Sequence, residues 1–560
     1  MKGNWLKDKR LAGAVLLVLL LLAASCALAA EPVLYVSPTG EYNARAIRLT
    51  FVENKGYYLF LPGNTEPGAL RIGFTGAEMA ELNGRQLDGT ETAAILEEHN
   101  EVRFNGKKKI VFDVMRGSHG LPVLYITTAT GKLDKIHHSK KYKEEGYLFM
   151  ENGSGAVEYD GNLEHIKMRG NASTQYPKKN YQIKLEKGTD ILGFGKAKRW
   201  ILTGNWLDRS FIRNQITFDL ADYIGLPYTP EHQQAEVYIN HEYFGLFLLS
   251  EKVEINKNRI DITDLEKATE ELNEGELSGY RKKTGKITET SSWKGFDIPN
   301  NPDDITGGYL IQYEYQKGRY KAEASGFITR RNVPLVIKSP EYATKEQAAY
   351  VAGFMQGFEN AIFAEDGFDP ATGKHYSAFI DMDSLVLKYM INEFSQNYDG
   401  NNSSEFFYKP ADSESTVAFA GPVWDMDNTY AAYARDYNLD EIMSPRGLFI
   451  GKASRTRYWW PNLYRHEDFR ERVSQLYRER FGDAVKILLG DAEDPDGALK
   501  SLEMYAAEIA DSVAMNYARY PNLRGNWSKA ETGKDHAENM AFLRNFIEKR
   551  TEYLESEWLQ

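Results

Sequence analysis

From Val33 to about Val114, apolar and polar residues alternate in short runs (Ala46–Val52, Tyr57–Leu61, Ala69–Phe74, Glu101–Phe104, Lys109–Val114) broken by Gly, Asn and Pro. Period-two alternation between turn residues predicts a small N-terminal β-sandwich, residues 31–117, with a spacer or adhesion role and no recognisable chemical constellation. Strand-like runs continue after Leu121 (Val123–Thr127, Lys179–Leu185, Trp200–Leu202, Ala235–Ile239, Gly245–Leu249), now interrupted by helical spacing over Ser210–Tyr223. The stretch Thr263–Asp304 is polar and poor in long apolar side chains, and reads as an excursion or lid outside the core. Beyond Thr344 helical periodicity dominates: Thr344–Ala364, Met382–Gln396, Phe469–Leu488, Leu499–Arg519 and His536–Trp558. The prediction is an α+β body, residues 118–560, in two lobes: a strand-rich one over about 118–340 and a helical one over about 341–560.

The head of the chain follows a different rule. Lys2, Lys7, Lys9 and Arg10 precede the apolar run Leu11–Leu22, about half the ~20 residues that span a bilayer, and small residues follow. Residues 1–30 therefore read as a secretory signal. Ala23-Ala24-Ser25-Cys26 has the form of a lipobox, and Ala27-Leu28-Ala29 that of an ordinary signal-peptidase site. Both readings predict an exported, extracellular or cell-surface protein. The first adds a lipid anchor at Cys26, the one membrane attachment expected, since no later stretch is long and apolar enough to cross a bilayer.

Composition narrows the function. The 560 residues are 42% hydrophobic, enough for a large core. Acidic residues (80) outnumber basic ones (68) for a formal charge of -12, which argues against a nucleic-acid partner. A single cysteine excludes an intramolecular disulfide framework, a Cys-based zinc site and an iron–sulfur cluster.

Three polar segments carry candidate chemistry. Met168-Arg169-Gly170-Asn171-Ala172-Ser173 through Tyr176-Pro177-Lys178-Lys179 is a turn running into the strand-like Asn180–Leu185. Gly and small hydroxyl residues let backbone N–H groups approach an anion, and adjoining lysines supply charge, as phosphates require; a solvated turn with surface lysines is the plainer reading. Ser395–Ser404 crowds Asp399, Asn401 and Asn402 into one loop, and Gly421–Asn428 carries Asp425 and Asp427. Each alone is also readable as an Asx-rich turn. Together they supply what phosphoryl transfer needs: a carboxylate to orient the attacking hydroxyl, oxygen ligands for magnesium, and lysine for the triphosphate. Their order along the chain, with a short hairpin between the two acidic loops, is that of a kinase.

These residues resemble the CotH family of spore-coat kinases, from about Leu121 to the C-terminus. The resemblance rests on Arg169-Gly170-Asn171-Ala172-Ser173 with Pro177-Lys178-Lys179 and Ile183-Lys184-Leu185; Trp200-Ile201-Leu202 leading to Asp208-Arg209-Ser210 and Arg213-Asn214; Val237-Tyr238-Ile239-Asn240 through Tyr243-Phe244-Gly245-Leu246 to Glu251-Lys252; and Trp424-Asp425-Met426-Asp427. It implies an atypical protein kinase fold transferring the γ-phosphate of ATP, with Mg²⁺ or Mn²⁺, to Ser/Thr of a surface or spore-coat protein. Asp399 is then the catalytic Asp, Asp425 and Asp427 the metal ligands, joined by the Ser404 hydroxyl or by Asn402, Lys184 the triphosphate lysine with Lys179 second, Gly170 and Ser173 the phosphate turn, and Glu251 the hinge near adenine. The chain departs from the family where Ser404 stands in the usual place of Asn, with Asn402 nearby. That substitution raises a pseudokinase as the companion reading.

Other signals point elsewhere. Asp494, Asp496, Gly497 and Glu503 approach an EF-hand spacing, but Ala492 stands at the first ligand position, so the acidic cluster reads as favouring the next helix's N-terminus. The ten histidines show no metal spacing. The abundant aromatics, as in Tyr458-Trp459-Trp460, pack cores or stack on sugars, which makes an envelope-scaffold or polysaccharide-binding protein the non-enzymatic alternative. A hydrolase using Asp399 and Asp425 as acid and base is a third reading, and it leaves the lysine-bearing turn unexplained.

Overall fold

The computed structural model describes residues 31–432, 444–452, 459–521 and 533–560. The signal and cleavage readings around Cys26, and Tyr458, lie outside the described residues. The protein is α+β. Residues 33–116 form a three-stranded and a six-stranded sheet. Leu34, Val36, Phe60, Ile72 and Val102 share one core between them, and this core continues onto Tyr125, Tyr238 and Tyr243 of the next unit.

That next unit is a closed seven-stranded barrel spanning Val123–Glu251. It closes by a parallel pairing of Val123–Thr128 with His232–Ile239; its other pairings are antiparallel. Two of its strands, Glu144–Glu151 and Val157–Arg169, were not anticipated from the pattern. Inward residues Ile166, Met168, Tyr181, Ile183, Trp200 and Leu202 fill the barrel. Alternation therefore turns His165, Lys167 and Arg169 of one strand, and Asn180, Gln182 and Lys184 of the next, to the outside. The expected helix appears as Arg213–Tyr223, in the crossover between the strands Lys196–Thr203 and His232–Ile239.

A second, seven-stranded sheet lies C-terminal to the barrel, with strands drawn from both sides of residue 340: Tyr309–Glu314 is its fifth and Ser403–Lys409 its sixth. The stretch expected to be a lid outside the core belongs to this body instead. Lys282–Lys286 and Ser292–Phe296 form the edge of the sheet, and Leu265, Phe296 and Ile298 are buried.

The predicted helices appear as Lys345–Phe363, Met382–Phe394, Glu467–Leu476 continuing through a wide π turn into Gly482–Leu489, Leu502–Arg519 and His536–Trp558. Thr344 opens the first with a reciprocal capping box to Gln347, and Asp381, Ser501 and Asp535 cap others. Among the described residues no helix is long and apolar enough to cross a membrane.

Candidate active site

The helix Met382–Phe394 ends at Ser395, and the chain passes through the loop bearing Asp399 into the strand Ser403–Lys409. It returns along Phe419–Ala420, which pairs antiparallel with Phe407 and Tyr408, and then enters the loop bearing Asp425. A hairpin thus brings the two acidic loops to the same end of the sheet. Ser404 Oγ lies 3.1 Å from Asp425 Oδ2. Both residues have left-handed backbone, with φ of 60° and 64°, a conformation disfavoured for residues with a Cβ and concentrated at functional sites.

The carboxylates feel one another. Burial, and then the charge of Asp425, pushes the Asp399 carboxyl up to about 7, while Arg319 opposes the rise. Burial pushes Asp427 well above the carboxylate range, reinforced by Asp425, Asp208 and Asp399. Asp425 itself is exposed to the cleft. A site that resists full ionisation on its own is one that a cation completes.

Beneath the loops a buried network fixes their relation. Asn397 Oδ1 accepts the Asp399 N–H at 3.0 Å, and its Nδ2 donates to Asn392 Oδ1 at 2.8 Å. Asn392 donates to Glu405 Oε1 at 3.0 Å, and Lys388 Nζ, 3.5 Å from Glu405 Oε2, donates to the Pro422 carbonyl at 3.0 Å. Lys388 and Asn392 are 0% and Glu405 2% exposed, so one buried set of polar contacts ties the Asp399 loop to the start of the Asp425 loop.

Facing the carboxylates is the outer surface of the barrel. The cleft is lined by Arg169, Asn180, Thr203, Leu248 and Ser250 from the barrel, by Asn214 and Phe218 from its crossover helix, and by Trp424 and Asp425. The Arg169 guanidinium sits 5.2 Å over the Trp424 ring, and Phe218 stacks on Trp424 at 6.2 Å. Burial lowers the pKa of Arg169 and Asp425 raises it. One register step further along the strand stands Lys167, lowered by burial and by the charges of Lys143, Lys252, Arg169 and Arg199. This is a concentration of cations on a protein of net negative charge, with Arg169 beside Asp425.

The remaining candidates are placed as follows. Gly170 has φ +100°, and a Cβ there would meet Ser173 Oγ at 1.9 Å, so the turn closes onto its serine only with glycine. Lys179 Nζ donates to the Thr174 carbonyl at 2.9 Å, bracing that turn. Lys184 lies on the outer face of the barrel two residues from Gln182, with Nζ 2.6 Å from Glu164 Oε1. Glu251 is 0% exposed; its Oε2 accepts from Tyr228 at 2.9 Å and the Glu231 N–H at 3.1 Å, and Arg259 Nε lies 3.4 Å from Oε1. Asn402 Nδ2 donates to the Tyr398 carbonyl at 2.9 Å within its own loop. Sequence reasoning assigned no role to Lys167, and named Arg169 and Asn214 only within motifs. The signal was available for the first two: His165, Lys167 and Arg169 alternate along one strand.

Among the described residues no three His, Cys, Asp or Glu side chains converge to enclose a metal by themselves. The donors present are nevertheless of the kind a small hard cation takes: Asp425, Asp427, the Ser404 hydroxyl, and Asn428 Oδ1, a buried oxygen with no hydrogen-bond partner among the described residues. Mg²⁺ is commonly held by one or two carboxylates, with substrate phosphates and water filling its remaining positions. The residues fit such an ion.

The search of curated proteins finds no match. A family model described as CotH kinase protein matches residues 166–554, which takes in the glycine turn, the cleft-facing strands and both acidic loops. The match covers more than half of the chain, and the protein belongs to the CotH kinase family.

Proposed function

We propose that this protein is an exported, two-lobed atypical protein kinase that transfers the γ-phosphate of ATP to Ser/Thr of a protein at the cell surface or spore coat. The observation that carries the reading is the cleft itself, where Asp425 and Trp424 meet Arg169, Asn180 and Asn214 of the barrel unit, with the Asp399 carboxyl near enough to feel the charge of Asp425. The Arg169 guanidinium, with Lys167 two residues away on the same strand face, suits a triphosphate. Asp399 accepts the proton of the attacking hydroxyl and orients it. Asp425, Asp427 and Ser404 would hold Mg²⁺ or Mn²⁺, which would supply charge neutralisation to the triphosphate. The barrel takes the part of the nucleotide-binding lobe.

Export follows from the leader at residues 1–30, and anchoring from lipidation at Cys26, with no nucleic-acid partner. The scaffold reading is disfavoured because Ser404, the departure from the family pattern, keeps its hydroxyl on Asp425. The test is transfer from labelled ATP by residues 31–560 in Mg²⁺ and in Mn²⁺, beside the Asp399→Ala protein. Label incorporation that the variant abolishes supports the kinase; no transfer and no nucleotide-dependent thermal shift would overturn it in favour of the scaffold.

A further inference from the structure

The loop bearing Asp425 and Asp427 is held from outside its own sheet. Residues 204–214 leave the barrel strand Lys196–Thr203 and enter the helix Arg213–Tyr223. From the first turn of this helix, Asn214 Oδ1 accepts the backbone N–H of Met426 at 2.7 Å. Its Nδ2 donates to Asn205 Oδ1 at 3.0 Å, which fixes the orientation of the carboxamide. Arg213 Nε donates to the Thr429 carbonyl at 3.0 Å. Arg213 is anchored in turn: Nη1 donates to Asp208 Oδ1 at 2.6 Å and to Ser210 Oγ at 3.0 Å, and the Arg213 N–H to Asp208 Oδ2 at 2.8 Å. Asp208, Ser210 and Arg213 are 0% exposed and Asn214 2%.

Two facts make this more than packing. The Met426 N–H belongs to the peptide that follows Asp425, the residue held at φ 64°. A left-handed Asp reverts to the ordinary right-handed or extended regions unless its neighbours fix it. Asn214 also lines the cleft beside Asp425 and Arg169. The bond therefore joins the barrel's crossover directly to the peptide that aims the Asp425 carboxylate.

We infer that Asn214 and the Asp208–Arg213 ion pair are positioning residues that clamp the Asp425–Asp427 loop to the barrel and set the geometry in which its carboxylates meet a divalent cation. The inference rests on the phosphotransfer reading for what the loop binds, but the clamp is testable without it. Groups that orient a metal's ligands typically change its affinity by about 10–100-fold when removed.

The experiment uses the 31–560 protein and its Asn214→Ala, Asn214→Asp and Arg213→Lys variants. Hydrogen exchange is followed in the peptide covering Met426, with barrel peptides as the internal reference. Asn214→Ala is expected to speed exchange at Met426 by tenfold or more with the barrel unchanged, and Asn214→Asp, which keeps the acceptor oxygen, to restore protection. Arg213→Lys keeps the buried charge but loses the forked donor, and is expected to loosen the same peptide less. In parallel, Mn²⁺·ATP binding is read by titration against the free-Mn²⁺ signal, with about a tenfold loss in Asn214→Ala. Unchanged exchange at Met426 in Asn214→Ala overturns the clamp, whatever the protein binds. Faster exchange with Mn²⁺·ATP affinity equal to the parent's overturns the positioning role. A parent protein that binds no Mn²⁺·ATP removes the phosphotransfer reading, and with it the role in metal geometry.

Discussion

Ser404 Oγ donates to Asp425 Oδ2 at 3.1 Å from a residue whose own φ is 60°. Where the resemblance leads one to expect Asn, this chain presents a shorter oxygen, and Ser404, in its left-handed turn, holds it against the Asp425 carboxylate, the proposed metal ligand. Ser404→Ala removes the hydroxyl and is expected to weaken Mn²⁺·ATP binding by about tenfold. Ser404→Gly removes it too but relieves the backbone, so the metal-free protein should gain about 1 kcal/mol in urea unfolding while losing the same affinity. Ser404→Asn should bind at least as well as the parent. Affinity unaffected by loss of the hydroxyl would separate Ser404 from the metal.

The two acidic loops divide the labour differently. Asp399 is half-buried and hydrogen-bonded through its backbone to Asn397, whereas Asp425 is exposed to the cleft. Asp399→Ala is expected to abolish transfer, by 10³-fold or more, while nucleotide still raises the melting temperature in Mg²⁺. Asp425→Ala is expected to lose both. Single-turnover transfer and thermal shift, read on the same samples, check the split; activity surviving in both variants sinks the assignment.

The lysine expected to hold the triphosphate has a neighbour better suited to it. Lys184 Nζ lies 2.6 Å from Glu164, while Lys167 has no carboxylate partner among the described residues and sits among Lys143, Lys252, Arg169 and Arg199. A bound polyanion relieves that repulsion. Lys167→Ala should therefore raise the KM for ATP by about tenfold, which is about 1.4 kcal/mol, and Lys184→Ala by less than threefold. Steady-state kinetics in ATP decide between them, and the reverse order would return the role to Lys184.

Much of this was legible in the sequence, and what was not had physical reasons. The helix from His536 to Trp558 was read to the residue, because its apolar spacing is long and its cap is an aspartate. The hairpin between the acidic loops followed from the chain order of Asp399, Phe406-Phe407-Tyr408 and Asp425. The strands Glu144–Glu151 and Val157–Arg169 escaped because barrel strands with one polar, charged face dilute the apolar signal. The segment 263–304 looked like a lid because its apolar residues are sparse, and only the fold shows Leu265, Phe296 and Ile298 buried. Asn214 could be quoted from the sequence as part of a motif, but its bond to Met426 spans a sequence separation that no local pattern encodes.

The shared charge of the site sets a pH dependence with a definite sign. The Asp399 carboxyl is raised from 3.8 to about 7 by burial and by Asp425. Between those values the folded, metal-free protein holds a proton that the unfolded chain has lost, so this group's contribution to stability falls as pH rises through the window and levels off above about 7. Glu236, Glu251 and Glu405, each pushed to about 7 by burial, act in the same direction, and only a difference between proteins isolates Asp399. Asp399→Asn, uncharged at every pH, is expected to match the parent in urea unfolding at pH 4 and to exceed it by about 1 kcal/mol at pH 7.5, screening keeping the gain below the full shift. Divalent cations favour the ionised carboxylates, so the stabilisation of the parent by Mg²⁺ or Mn²⁺ should grow from pH 5.5 to 7.5 and release protons into a weakly buffered solution. A stabilisation by cation that is flat with pH would mean that the ion binds away from Asp399, Asp425 and Asp427.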